Sequence, residues 1–440
     1  MANEVPARPR SARLRVPSIE TIVVEGFKSH RDRAEVRVRP LTVLAGQNSA
    51  GKSSLIQPLL IAKQTLEVPW DPGALALEGP CFHGATAAGL LWRGSRRSDH
   101  ARQWTFGVST GDRVVSATYT KGPRGGFSIA STTLEVAGQT YRITDGPAPP
   151  EVSRAVLGAA RRNVSEDGLA ALADHLQFEQ GRVAHTLTLG RAPFSPISPN
   201  AMLEAIIHLP GLRGNPERAY QVTRTGGNFP GPFSPYAASV LLTMQDEHPD
   251  QAQGVSDDLR ALGVTWKAAA QRVRHSDSHV EVRVGRLPQA LAGGAKDLVN
   301  IADVGFGASQ VLPVVVALRV ARPGQLVHIE QPELHLHPNA QVAMAGLLVQ
   351  AARRQVKVVA ETHSSVLVKA IQLAVARGEL PPADVALHWL SRDADGASKV
   401  HPGNLEHDGA YGDWPIDFAD VEMDVEARFI DASLSAQAER

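Results

Sequence analysis

The 440-residue sequence predicts an α/β protein, a parallel sheet with crossover helices interrupted by a long insertion of mixed β and α character. Three observations predict it. The apolar run Leu41–Ala45, typical of a buried strand, is followed by a Gly-rich turn and a helix from about Lys52. From about residue 300, apolar strands and helices alternate. Between these two stretches that alternation is lost.

Taken in order, residues 1–17 form a basic, Pro-containing stretch, and 18–25 and 34–38 read as strands around the polar turn Lys28–Arg33. Residues 103–144 alternate polar and apolar positions between Gly-rich turns, which predicts antiparallel strands. Residues 151–177 and 236–274 read as mostly helical, with an irregular loop around Arg213, Pro216 and Arg218 between them. The C-terminal part predicts helices over Val311–Val320, Gln341–Arg354 and Val366–Ala376. It predicts strands over Leu326–Ile329, Val356–Ala360 and Val385–Leu390. The expected organisation is a core made of residues 1–68 and 300–440 around an insertion spanning 69–299. Sustained heptads, which a long coiled-coil arm needs, are absent.

Composition bounds the function. Lys plus Arg and Asp plus Glu each total 45, so bulk charge does not call for nucleic acid. The lone cysteine, Cys81, excludes an intramolecular disulfide and a cysteine-built zinc site. The most apolar stretch, Val311–Val320, is far short of the roughly 20 residues of a membrane helix. A soluble, cytoplasmic protein without membrane contact is expected.

The strongest motif is Gly46-Gln47-Asn48-Ser49-Ala50-Gly51-Lys52-Ser53, which fits G-x-x-x-x-G-K-[ST] between a buried strand and a helix. Its glycines let backbone N–H groups turn inward around phosphate oxygens, and the helix N-terminus adds partial positive charge there. Lys52 is expected at the β- and γ-phosphates of ATP and Ser53 on Mg²⁺. Glu330, at the end of the Leu326–Ile329 strand, is placed to hold Mg²⁺ at the sheet edge where α/β ligand sites lie. His363, just past the next strand, is placed to sense the γ-phosphate. The run Asp303–Gln310, with Gly305, Gly307 and Ser309 before a helix, reads either as a second anion nest or as a Gly-rich turn with a Ser cap.

These motifs, in this order, resemble the ATPases of the RecF, SMC and OLD group, especially short bacterial ATPases with "ETHS" and "HLHP" motifs. The matching stretches are Gly26–His30, Gly46–Ser54, Val304–Gln310, Ile329–Pro338 and Glu361–Ser364, with Asp413–Val421 similar to the tail of the group. The resemblance implies a P-loop NTPase core of ABC-ATPase-head type. It implies that Lys28, Ser29 and Ser54 lie near the nucleotide phosphates. It also implies that Gly305–Gln310 contacts the γ-phosphate of ATP on a second subunit, giving a head-to-head dimer or a higher even oligomer. "HLHP" stands where such proteins have their D-loop, with His337 in place of the usual Asp.

One departure stands out. Gln331 occupies the position of the catalytic glutamate, and a carboxamide cannot take a proton from water as a carboxylate does. Glu333 is the alternative base, and slow hydrolysis is expected. The leading expectation is an ATP-gated switch whose output passes to a separate nuclease or toxin, as in anti-phage systems built on similar ATPases. A RecF-like DNA-repair ATPase and an ATP-holding module without turnover are the alternatives. Outside these motifs, His335 and His337 are too few for a metal site, Asp393–Gly396 reads as a hairpin turn, and Arg93, Arg96, Arg97 and Arg102 read as a solvated basic surface, with phosphate-backbone contact the alternative.

Overall fold

The computed structural model describes residues 18–411 except 71, 85, 112, 123–124, 137, 145–198, 224–225, 274–277 and 288–296, together with 427–431. The stretch 1–17, the expected helix at 151–177 and Asp413–Val421 lie outside these residues. The elements before the 145–198 interval are β1 (Thr21–Glu25), β2 (Ala34–Arg37), β3 (Leu41–Gly46), α1 (Lys52–Glu67), α2 (Ala87–Leu90), β4 (Gln103–Thr110), β5 (Arg113–Lys121), β6 (Phe127–Val136) and β7 (Gln139–Ile143). After it come α3 (Pro199–Glu204), β8 (Ile207–Leu209), β9 (Tyr220–Gln221), α4 (Ala237–Glu247), α5 (Pro249–Ala261), β10 (Ala268–Arg272), β11 (His279–Gly285) and β12 (Leu298–Asn300). The C-terminal part holds α6 (Phe306–Val320), β13 (Leu326–Glu330), α7 (Pro338–Arg353), β14 (Lys357–Thr362), α8 (Ser365–Ala376), β15 (Val385–Arg392) and β16 (Ser398–Gly403).

The central sheet has the order β16-β15-β3-β14-β13-β8. Strands β15, β3, β14, β13 and β8 run parallel, and β16 returns antiparallel along β15. All six residues of β3 are buried, as strands covered on both faces must be. Their side chains divide between two cores. Leu41, Val43 and Ala45 pack with α4, α6, α7 and α8, while Leu44 packs with α1 and the N-terminal strands. Residues Val358 and Ala360 against Val359 on β14 divide in the same way.

The insertion span is tied to the core through pairing. Strands β1 and β2 belong to an antiparallel sheet of order β2-β1-β4-β5-β6-β7, so the first two described strands join strands from the span expected as an insertion. Conversely β8, from within 69–299, forms an edge of the central sheet beside β13. The strands expected over 103–144 are present. The mostly helical reading of 236–274 holds through α4 and α5, which end at Ala261, and is corrected beyond them, where Ala268–Arg272 is a strand paired with β11. A cluster of Phe27, Trp104, Tyr119 and Phe127, with ring centroids 4.7 to 5.6 Å apart along Phe27–Trp104, Trp104–Tyr119 and Trp104–Phe127, anchors the loop after β1 on the second sheet.

The C-terminal ends of β3, β14, β13, β8 and β15 therefore meet at one edge of the central sheet. Among the described residues, no helix is long and apolar enough to cross a membrane.

Candidate functional site

The turn from β3 into α1 carries three positive backbone angles: Gly46 at φ 147°, Ser49 at φ 62° and Gly51 at φ 100°. Two of these positions require glycine twice over. A Cβ on Gly46 would lie 2.3 Å from the Leu390 carbonyl oxygen, and one on Gly51 would lie 2.2 Å from Ser398 Oγ. Helix α1 begins after Gly51 without a side-chain cap or an acid in its first turn, so its first N–H groups face the turn. Outside the turn, Ser398 Oγ donates to Ala50 O at 2.6 Å and accepts from Ser29 Oγ at 2.8 Å, and His30 Nε2 lies 2.9 Å from Gly51 O. The loop after β1 and the start of β16 thus brace the phosphate loop from behind.

Lys52 is 5% exposed, and its Nζ donates to the carbonyls of Gly46 and Gln47 at 2.9 Å. Burial pushes its pKa down to about 8, opposed by the nearby Glu361 and Glu333 carboxylates. His363 Nδ1 lies 3.4 Å from Lys52 Nζ. Burial first and Lys52 second hold His363 below the ordinary imidazole range, so it is neutral at neutral pH.

Two acids stand side by side at the strand ends, because Glu330 and Glu361 are register partners across β13 and β14. Glu361 is 3% exposed; its Oε2 accepts from Ser53 Oγ at 2.7 Å and its Oε1 faces His328 Nε2 at 3.0 Å. Behind it, His328 Nδ1 lies 3.1 Å from His208 Nδ1. Glu330 Oε2 accepts from Gly211 N at 3.1 Å, and burial raises its pKa. A hydroxyl, the buried Glu361 carboxylate and the half-buried Glu330 carboxylate at one strand edge form the hard oxygen set that suits Mg²⁺.

Gln331 is held in a left-handed backbone, φ 45°, with its N–H on Glu361 O at 2.8 Å. Glu333 Oε1 accepts from Thr362 Oγ1 at 2.8 Å and from His363 N at 3.0 Å. Its Oε2 is buried and has no partner among the described residues. A buried carboxylate oxygen without a partner is a group kept for water or ligand.

Ser49–Ser54, Gly211, Glu330, Gln331, Glu361, His363 and Arg392 all line one cavity of about 660 Å³. Lys28 and Ser29 line a neighbouring cavity of about 440 Å³ that shares Ser54 and Arg392 with it; Lys28 Nζ donates to Gln57 Oε1 at 2.6 Å. They stand beside the phosphate loop and not inside its cavity. Gly305 precedes α6 and Gly307 lies in its first turn, and Ser309 Oγ donates to Phe306 O while lining a different cavity with Leu212 and Arg213. Phe306, 55% exposed, marks this helix start as an outward-facing surface. His335 and His337 are exposed, and His337 Nδ1 caps α7 from Asn339 N at 3.4 Å. Asp393 Oδ1 accepts from Asp395 N and Ala397 N, which makes Asp393–Gly396 the β15–β16 hairpin turn.

Sequence reasoning missed Glu361, Gly211, Arg213 and Arg392. Glu361 had a visible signal, an acid ending an apolar strand next in order to Glu330. The others come from loops and strand ends that only the tertiary fold brings to this edge.

Residues 286–369 match a family model described as an AAA domain, putative AbiEii toxin, Type IV TA system. No curated protein matches the sequence. Among solved structures, an SMC head bound to the C-winged helix domain of ScpA aligns over 88% of this chain and 99% of its own, with 15% identity and a TM-score of 0.50. The SMC head domain from Thermotoga maritima aligns over 88% and 98%, with 9% identity and a TM-score of 0.38. The fold is that of a P-loop ATPase head. The chain's fold is similar to that of the ABC-type heads of SMC proteins, and the AAA-type match covers residues 286–369, which hold its C-terminal motifs.

Proposed function

We propose that the chain binds Mg²⁺-ATP, hydrolyses it slowly, and uses the ATP-bound state to close two heads against each other. The observation that carries this reading is the convergence of Ser49–Ser54, Glu330, Gln331, Glu361 and His363 on one cavity at the C-terminal edge of a parallel sheet. The backbone turn and Lys52 bind the β- and γ-phosphates, and neutral His363 offers a ring nitrogen to the γ-phosphate. Ser53, Glu330 and Glu361 would hold the metal, which would supply neutralising charge to the phosphoryl oxygens. Gln331 orients water, and Glu333, fixed through its Oε1, is the carboxylate available to take a proton.

Head closure is supported by the place of Ser309. Ser309 itself is buried, but the helix start that carries it is exposed at Gly305 and Phe306, so the first N–H groups of α6 are available to a nucleotide on a second copy. The output passes to a separate effector, a nuclease or toxin in a defence setting; the similarity of residues 286–369 to a putative AbiEii toxin family of Type IV TA systems supports the defence setting. Gln331 also favours a second reading, an ATP-holding module without turnover.

The test is equilibrium binding of ATP and phosphate release by the parent chain and by Lys52→Ala. The parent is expected to bind and to turn over slowly, and Lys52→Ala to lose binding. Equal binding by both proteins would refute the site, and binding without any phosphate release would select the second reading.

A further inference from the structure

Arg213 is 9% exposed and sits in the loop that follows edge strand β8. Its guanidinium reaches two other segments. Nη2 donates to Glu330 O at 2.7 Å and to Gln331 O at 3.3 Å, while Nη1 donates to Gln310 O at 3.3 Å. The loop backbone completes the link: Arg213 N donates to Gln310 Oε1 at 3.3 Å, and Gln310 Nε2 donates to Gly214 O at 2.7 Å. One side chain therefore ties the acidic end of β13 to the first turns of α6. The first of these is where the chain's own nucleotide meets Glu330 and Gln331. The second carries Ser309, the group proposed to meet a nucleotide on another copy.

The backbone it grips is not neutral ground. Gln331 at φ 45° is a left-handed non-glycine, a conformation that persists only where surrounding bonds over-determine it. Arg213 on its carbonyl and Glu361 O on its N–H are those bonds. Burial lowers the Arg213 pKa to about 10, opposed by Glu330 and Glu333, so the guanidinium stays charged near neutral pH. Its Nε–H is buried without a partner among the described residues.

We infer that Arg213 is a positioning residue that couples the two halves of the composite nucleotide site, so that the strand end around Glu330 and Gln331 and the Ser309 helix shift as one unit. The inference rests on the proposed ATP site and names its internal coupling. A planar fork is needed to reach three carbonyls in two segments; a lysine ammonium carries the charge but not that shape. Arg213 is not expected to touch the phosphates held by the turn after β3, so ATP affinity and coupling are separable.

The experiment uses the full chain with Arg213→Gln, Arg213→Lys and Gln310→Ala, the last removing the side-chain bonds to the 213–214 backbone without removing a buried charge. Three quantities are read: ATP affinity, kcat against KM for phosphate release, and the ATP-dependent change in mass by light scattering. All three variants are expected to bind ATP within about threefold of the parent. Their kcat is expected to fall by about tenfold or more with KM little changed, and the ATP-dependent mass increase to disappear. The coupling is overturned if Arg213→Gln and Gln310→Ala turn over within twofold of the parent and still gain mass with ATP. It is also overturned if affinity falls in step with kcat, or if Arg213→Lys behaves as the parent. Should Arg213→Gln fail to fold, Arg213→Lys, which keeps the charge and loses the fork, decides together with Gln310→Ala. A parent chain that binds no ATP removes the site reading itself, and that result is visible before any variant is made.

Discussion

Replacing Glu361 with Gln removes one negative charge and almost no volume from the proposed metal side of the candidate site. The carboxylate now accepts from Ser53 Oγ at 2.7 Å and faces His328 Nε2 at 3.0 Å. A carboxamide can keep both contacts only by presenting its oxygen to one and its NH₂ to the other, which the rotatable Ser53 hydroxyl permits. The shape is retained while charge-assisted bonds become neutral, a loss of about 1 kcal/mol in folding. The larger effect falls on the cation. Losing one of two anionic groups near Mg²⁺ is worth about 10–100-fold in metal affinity, or about 1.4–2.7 kcal/mol. The assay is a Mg²⁺ titration of phosphate release at saturating ATP, paired with ATP binding in a chelator. Glu361→Gln is expected to move the Mg²⁺ midpoint up by about 10–100-fold and to leave chelator-bound ATP affinity unchanged or tighter. A midpoint within about twofold of the parent would refute the reasoning, leaving Glu361 as a packing partner of Ser53.

Two further predictions concern the base and the buried histidines. Gln331→Glu is expected to raise turnover, since general-base catalysis is worth roughly 10²–10⁴-fold. Glu333→Gln, with its Oε1 tie to His363 N weakened, is expected to lower turnover while ATP still binds; if Gln331→Glu is no faster than the parent, Glu333 is the sole base. Burial holds His30, His208, His363 and His388 below the ordinary imidazole value of 6.5. Below that pH the unfolded chain binds protons that the folded chain does not, so stability is present above it and falls as pH falls. The raised Glu330 pKa opposes this with one group. Urea midpoints at pH 7.5 and 5.5 check the sign, and an unchanged or higher midpoint at pH 5.5 would contradict it.

The phosphate loop was legible because its demands are local. Gly46 and Gly51 sit where backbone angle and a close neighbour both exclude a Cβ, and such positions are written in consecutive residues. Glu330 and His363 were legible because each follows an apolar run that could only be a buried strand. What escaped depends on register and distance. Glu361 joins the candidate site through its pairing opposite Glu330, and Arg213 reaches it through hydrogen bonds to residues 117 and 118 positions further on. Strand β8 is three residues long, too short for a periodic signal, yet it brings Gly211 and Arg213 to the site. The misreading at 268–270 has a plain cause. Three alanines in succession favour helix by intrinsic propensity, and pairing with Val282 and Val284 on β11 overrides it.

The central claim is that ATP on one head draws in the Ser309 helix of another. It is tested most directly by crosslinking Ser49→Cys to Ser309→Cys between chains, on a Cys81→Ser background that leaves no other thiol. The account predicts crosslinks that form with Mg²⁺-ATP, are rare without nucleotide, and vanish when Lys52→Ala is added. Crosslinking of equal yield with and without ATP, or surviving Lys52→Ala, would contradict it.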